Sequence, residues 1–180
     1  MFSIGIDNFL LNVHRGPLPE MYGEYRRRAR LVEEFAVDSP EGEACLVTAG
    51  HPYAWPFLVV AQRFQPYVAG FNPGILLVAE TGVLFIGAGE RLLAYSLQGP
   101  KKLWEDHADT GFWGWQQHDD CVLMSAELEL AAWRTTGEKL WTTFVEPPWS
   151  YRAENGQIHL DVMGLKSSFP IVDGPSASVR

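Results

Sequence analysis

The chain has 180 residues, a formal net charge of −8, 47% hydrophobic residues and 13% aromatic ones. That length suits one domain able to bury a core without metal or disulfide staples, and the apolar content excludes a disordered chain. The acidic balance argues against a protein that grips phosphate backbones, so no nucleic-acid partner is expected.

The N-terminus, Met1 to Asp7, has no basic segment and no clean apolar core, so no signal peptide is predicted. No apolar run approaches the roughly 18 residues of a membrane span. A cytoplasmic protein without a membrane partner is the resulting expectation. Residues 2–13 are apolar and strand-like. Residues 19–35 read equally as helix or strand, because Met21, Tyr25, Val32 and Phe35 fall roughly on one helical face. Arg26-Arg27-Arg28 is followed at once by Glu33-Glu34 and reads as a solvated face. Cys45 and Cys121, the two cysteines, sit in apolar runs and are expected as reduced, buried thiols.

Residues 30–69 form a weak first unit. Its strands are expected at 30–37, 44–47, 57–62 and 67–69, with His51 to Pro56 lengthening one loop. Tyr53 and Trp55 lie in that insert, where exposed aromatics would suit a binding hot spot.

From residue 80 onward the chain repeats itself. Segments 80–97, 118–135 and 154–171 align without a gap, at offsets of 38 and 36 residues. Each opens on a polar turn: Glu80-Thr81-Gly82, His118-Asp119-Asp120, Glu154-Asn155-Gly156. A short apolar strand follows, then a loop, then a small residue before an aromatic: Ala94-Tyr95, Ala132-Trp133, Ser168-Phe169. The first two copies continue into a glycine turn and Lys-Leu-Trp, ending at Trp104 and Trp141. Four short antiparallel strands per unit is the pattern of a propeller blade.

The runs Ala94 to Trp104 and Gly137 to Trp141 resemble the quinoprotein-like (PQQ-type) β-propeller repeat, over residues 75–172. The resemblance implies an architecture only. The Asp usual two positions after the small residue is replaced by Ser96, Arg134 and Pro170, and no quinone site is recognisable. The expected fold is therefore all-β: one domain over 1–180, with about four four-stranded antiparallel blades. The blade-like units are 30–69, 73–105, 111–146 and 148–172, with residues 2–13 closing the last. An open three-blade arc, a β-sandwich or half of a dimeric ring are the alternatives.

No signature of hydrolase, P-loop, dinucleotide or zinc chemistry is present, so neither catalytic residues nor a metal or cofactor is expected. Glu105-Asp106-His107-Ala108-Asp109 and His118-Asp119-Asp120 are polar clusters expected in turns. His159 falls in an apolar column and is expected as a core histidine. In a propeller, 105–110, 125–127, 146–149 and the His51–Pro56 insert would share one face. Tyr53, Trp55, Glu105, Asp106, His107, Asp109 and Trp149 on that face would suit a basic protein partner. The expectation is a non-catalytic protein–protein interaction module that neutralises or scaffolds such a partner, a bacterial toxin for instance. The alternative is an enzyme or small-ligand binder using a central pocket with His51, His107 or His118. A homo-oligomeric subunit is a third option.

Overall fold

The structure is a computed structural model and describes residues 2–65 and 72–176; the strand expected at 67–69 lies outside them. Sixteen strands and one short helix are described. In chain order they are β1 (Phe2–Ile6), β2 (Phe9–Arg15), α1 (Tyr22–Arg28), β3 (Leu31–Phe35), β4 (Glu43–Gly50), β5 (Leu58–Phe64), β6 (Gly74–Val78), β7 (Val83–Ala88) and β8 (Arg91–Ser96). Then come β9 (Lys101–His107), β10 (Phe112–His118), β11 (Cys121–Ala126), β12 (Glu129–Arg134), β13 (Lys139–Phe144), β14 (Trp149–Glu154), β15 (Gln157–Val162) and β16 (Leu165–Pro170).

The strands form four sheets, ordered β1-β2-β4-β5-β3, β6-β7-β8-β9, β10-β11-β12-β13 and β14-β15-β16. They stack in sequence. Leu11, Val47 and Leu58 of the first sheet pack on Leu84, Leu93 and Tyr95 of the second. Phe85 and Ala94 meet Val122, Met124 and Trp133 of the third. Leu123 and Ala132 meet Ile158, Leu160 and Phe169 of the fourth. The sheets do not close into a ring.

The repeat columns have a geometric cause. Tyr95, Trp133 and Phe169 each face the preceding sheet, whereas Ala94 and Ala132 face the following one. Ala94 lies opposite Trp104 and Ala132 opposite Trp141 across the strand pair. A small residue there leaves room for the indole and for the next sheet's aromatic. Trp104 stacks on Trp133 with ring centroids 5.3 Å apart, and Trp141 meets Phe169 edge-on at 5.6 Å. Each indole N–H then reaches across the sheet boundary. Trp104 donates to the Gly137 carbonyl at 2.6 Å, and Trp141 to the Ile171 carbonyl at 2.7 Å. Gly137 and Gly174 occupy equivalent turns with φ of +94° and +74°, and the indoles lie against them.

Two expectations need correction, and one alternative left open is resolved. Residues 2–13 do not close the last sheet; they form the β1–β2 hairpin, whose β2 pairs with β4. The first sheet is thus an antiparallel meander, β1-β2-β4-β5, to which β3 adds in parallel beside β5. The stretch 19–35 is both helix and strand, α1 and then β3, broken at Ala29 by an extended backbone, ψ 150°. Tyr22, Tyr25, Ala29 and Val32 cover Leu46, Val59 and Ala61 on the first sheet's outer face. Finally, His159 is exposed rather than in the core. Its column, which holds Phe85 and Leu123 elsewhere, faces the following sheet, and among the described residues no sheet follows the fourth. The other outward side chains there, Ser150, Arg152, Glu154, Asp161, Lys166 and Ser168, are polar to match.

Candidate functional site: an acidic rim with exposed apolar anchors

Strand direction sorts the loops onto two rims. One rim carries the β7–β8, β11–β12 and β15–β16 turns and the β9–β10 and β13–β14 links. In the first sheet the same rim holds the ends of β2, β5 and β3: Arg15 bonds Asn72, Phe64 lies against Gly89, and the Arg91 guanidinium sits 4.5 Å over the Phe35 ring. The His51–Pro56 turn follows β4, so it lies on the opposite rim, where the His51 Nδ1 is 2.9 Å from the Asn8 carbonyl.

The seven residues singled out from the sequence therefore do not share a face. Tyr53 and Trp55 border a groove of about 330 Å³ with Asn12, Met21, Tyr25 and Thr48 on the far rim. Tyr53 is fully exposed at φ +62°, and Arg28 lies 4.2 Å over the Trp55 ring. Glu105, Asp106 and His107 lie in β9 rather than in a turn. They are polar because β9 is the outermost strand of its sheet. Glu105 pairs with Arg91 and Lys102; Asp106 pairs with Lys139 of the next sheet at 2.6 Å. Those carboxylates join elements of this chain. His107 lines a cleft of about 250 Å³ beside Phe64, Ala88, Glu90 and Arg91. The Asp109 backbone N–H donates to the buried Glu129 carboxylate, which also accepts from Thr142. Trp149 is buried. It stacks on Trp113 at 5.1 Å and donates its indole N–H to the Glu127 carbonyl at 2.9 Å.

What the sequence reading missed is the remainder of the near rim. Trp113, Phe144, Met163 and Leu165 are exposed large apolar side chains, and all four lie there. Leu165 is 79% and Phe144 66% exposed, values that serve no packing. The turns of this rim are tied to their neighbours: the Met163 N–H donates to the Pro148 carbonyl, and the Glu127 N–H to the Gly111 carbonyl. Glu90, Asp109, Glu127 and Glu146 stand on the same rim, and no cation pairs with their side chains among the described contacts. Asp109 and Glu146 are repeat-equivalent, since Ala108 and Val145 beside them donate to the matched carbonyls of Glu90 and Leu128; Glu127 lies in the same turn as Leu128, one position before the counterpart of Glu90. The signal in the sequence was an acidic residue in four near-rim connections, Glu90, Asp109, Glu127 and Glu146, with none in the Met163-Gly164 turn.

Met163 adds a conformational oddity. With Gly164 it forms a two-residue hairpin turn in which both residues have positive φ, +55° and +86°. Such turns favour Asn or Asp at the first position, as Asn155-Gly156 illustrates in the neighbouring hairpin. An unbranched apolar side chain held there in solvent gains nothing for folding.

Among the described residues, no three His, Cys, Asp or Glu side chains converge to hold a metal ion. His51 lies against Phe9 and Phe57, while His107 and His118 lie on strands of two other sheets, on opposite rims.

No family model matches the sequence, and no curated protein matches it. Solved structures do. The computationally designed Ika4 protein is 13% identical, with a TM-score of 0.44 over 57% of this chain and 67% of its own. The computationally designed Ika8 protein is 10% identical, TM-score 0.44, over 74% of this chain and 44% of its own. BamB from Moraxella catarrhalis is 9% identical, TM-score 0.43, over 90% of this chain and 40% of its own. This chain thus spans less than half the length of the latter two. The chain is an all-β protein of four sheets, similar in structure to β-propeller proteins.

Proposed function

We propose that the chain is a non-catalytic protein-binding module that recognises a basic partner through the near rim. The observation that carries this reading is that Trp113, Phe144, Met163 and Leu165 are exposed on the same rim as Glu90, Asp109, Glu127 and Glu146, whose side chains pair with no cation among the described contacts. Interface centres are enriched in aromatic residues and Met, and exposed apolar patches with polar rims mark interaction sites. Glu90, Asp109, Glu127 and Glu146 steer a basic surface toward it and raise the encounter rate. Met163 serves as an adaptable anchor, because its flexible thioether fits varied surfaces. Scaffolding or neutralising such a partner, a bacterial toxin for example, follows from the same chemistry. Within this reading, the small-residue and tryptophan columns belong to a quinoprotein-like repeat used as scaffold; the docked indoles of Trp104 and Trp141 support that.

Met163→Asn tests the proposal. Asn suits positive φ, so the variant is expected to be more stable by about 1 kcal/mol. It is also expected to capture the partner at least tenfold more weakly in affinity pull-downs quantified against the unaltered chain. Glu127→Lys with Glu146→Lys should weaken capture further, most at low salt. Full capture by these variants, or loss of capture only with Tyr53→Ala and Trp55→Ala, would refute the near-rim assignment.

A further inference from the structure

We infer that the partner engages this rim by adding an extended segment to the edge of β16 that no described strand covers; this rests on the protein-binding reading above. The fourth sheet has three strands, whereas the second and third have four. In those two sheets, β9 and β13 pair with β8 and β12, the counterparts of β16. The corresponding position beside β16 is open among the described residues.

The backbone of β16 is arranged to receive a strand. β15 and β16 join through the two-residue turn Met163-Gly164, so the flanking pair Val162 and Leu165 exchanges backbone hydrogen bonds, and bonded pairs alternate from there. The N–H and C=O groups of Leu165, Ser167 and Phe169 therefore face β15. Those of Lys166 and Ser168 face away, toward the open edge. The third outward position is Pro170, which has no N–H to leave unpaired and whose carbonyl accepts from Gly174 at 3.0 Å. Four main-chain groups are thus presented along about two residue pairs.

Side-chain geometry says what the added strand should carry. Ser168 stands in the column of Ala94 and Ala132, the small residues that lie opposite Trp104 and Trp141. A large apolar side chain opposite Ser168 would lie over a groove of about 410 Å³ lined by His159, Asp161, Lys166 and Ser168. The edge is continuous with the near rim: Leu165, one of its exposed anchors, begins β16, and Met163, another, stands in the turn just before it. A basic segment drawn to Glu127 and Glu146 therefore arrives at the head of this strand. Main-chain bonds would supply affinity and the alternate side chains specificity.

The probe is a synthetic peptide of residues 138–145, the strand that fills the equivalent place in the third sheet, flanked by lysines. Amide exchange of the full chain is followed by NMR. In the free protein the Lys166 and Ser168 amides should exchange freely, and the peptide should slow both at least about tenfold. The effect should vanish with Ser168→Pro, which removes an outward donor. It should also vanish with a peptide N-methylated at the residues matching Trp141 and Thr143, a control that does not depend on how the variant folds. Amides already protected without peptide, no binding at millimolar peptide, or binding that leaves them unprotected would overturn strand addition. Weakening by Met163→Asn with the β16 amides left open would sink strand addition and spare the rim. Loss by Ser168→Pro with Met163→Asn unaffected would do the reverse.

Discussion

Replacing Gly174 by Ala should destabilise the protein by about 2–5 kcal/mol, and most of that loss should come from one indole. Gly174 has φ +74°, and a Cβ there would lie 2.5 Å from Trp141 Cγ and 2.7 Å from its Cδ1. The ring has little freedom to move, since its N–H is held by the Ile171 carbonyl at 2.7 Å and its edge meets Phe169. Positive φ costs an alanine about 1–2 kcal/mol, and forcing extra volume into a packed site costs about 1–3 more. Gly156 separates the two contributions. Its φ is +72°, with nothing within 4 Å of the added Cβ, so Gly156→Ala bears the backbone cost alone. Urea unfolding followed by circular dichroism gives both values. The difference between the variants should be about 1–3 kcal/mol and should shrink when Trp141→Phe is added to Gly174→Ala, because the smaller ring can yield. Equal losses for Gly174→Ala and Gly156→Ala would refute the claim that the indole seats on the glycine turn.

Burial pushes the Cys45 thiol from 9.0 up to about 12 and the Cys121 thiol up to about 11. Both should resist alkylation at pH 8.5 until the chain unfolds; labelling at the rate of a free thiol would contradict their packing. Because these folded-state values lie above the unfolded one, the stability they contribute is complete below pH 9. It is lost as pH rises through about 11 to 12, so urea midpoints should fall across that window. The Asp106–Lys139 pair joins neighbouring sheets at 2.6 Å, but its side chains are about one-third exposed. A double-mutant cycle should therefore give only about 0.2–1 kcal/mol, reduced by salt. A coupling above about 2 kcal/mol would make this pair, rather than the tryptophans, the main tie between the sheets.

The second, third and fourth sheets were legible because their columns are set by neighbours that repeat. Tyr95, Trp133 and Phe169 fill one role, and so do Trp104 and Trp141. The first sheet was not legible. It has the same antiparallel meander, but Cys45, Val47 and Ala49 on β4 carry no small-then-aromatic pair, and β3 reaches its place by a parallel addition that strand spacing does not encode. His159 misled for a related reason. Column membership identifies the face, whereas exposure depends on whether another sheet covers it. At the site, aromatic content drew attention to Tyr53 and Trp55. Which rim a loop occupies depends on strand direction, and that placed the exposed apolar side chains beside the carboxylates elsewhere. Glu105 and Asp106 looked available because sequence cannot show that Arg91, Lys102 and Lys139 engage them.

The two outer faces of the stack carry one further consequence. The first is sealed by Tyr22 and Tyr25 of α1 together with Ala29 just after it, and the last is wettable, with Arg152, His159 and Asp161 turned to solvent. Neither surface requires the other. Growth by one more unit would consequently ask only that its apolar sides match those of its two neighbours, as in a row of interlocking tiles whose length is set by duplication and not by a circumference.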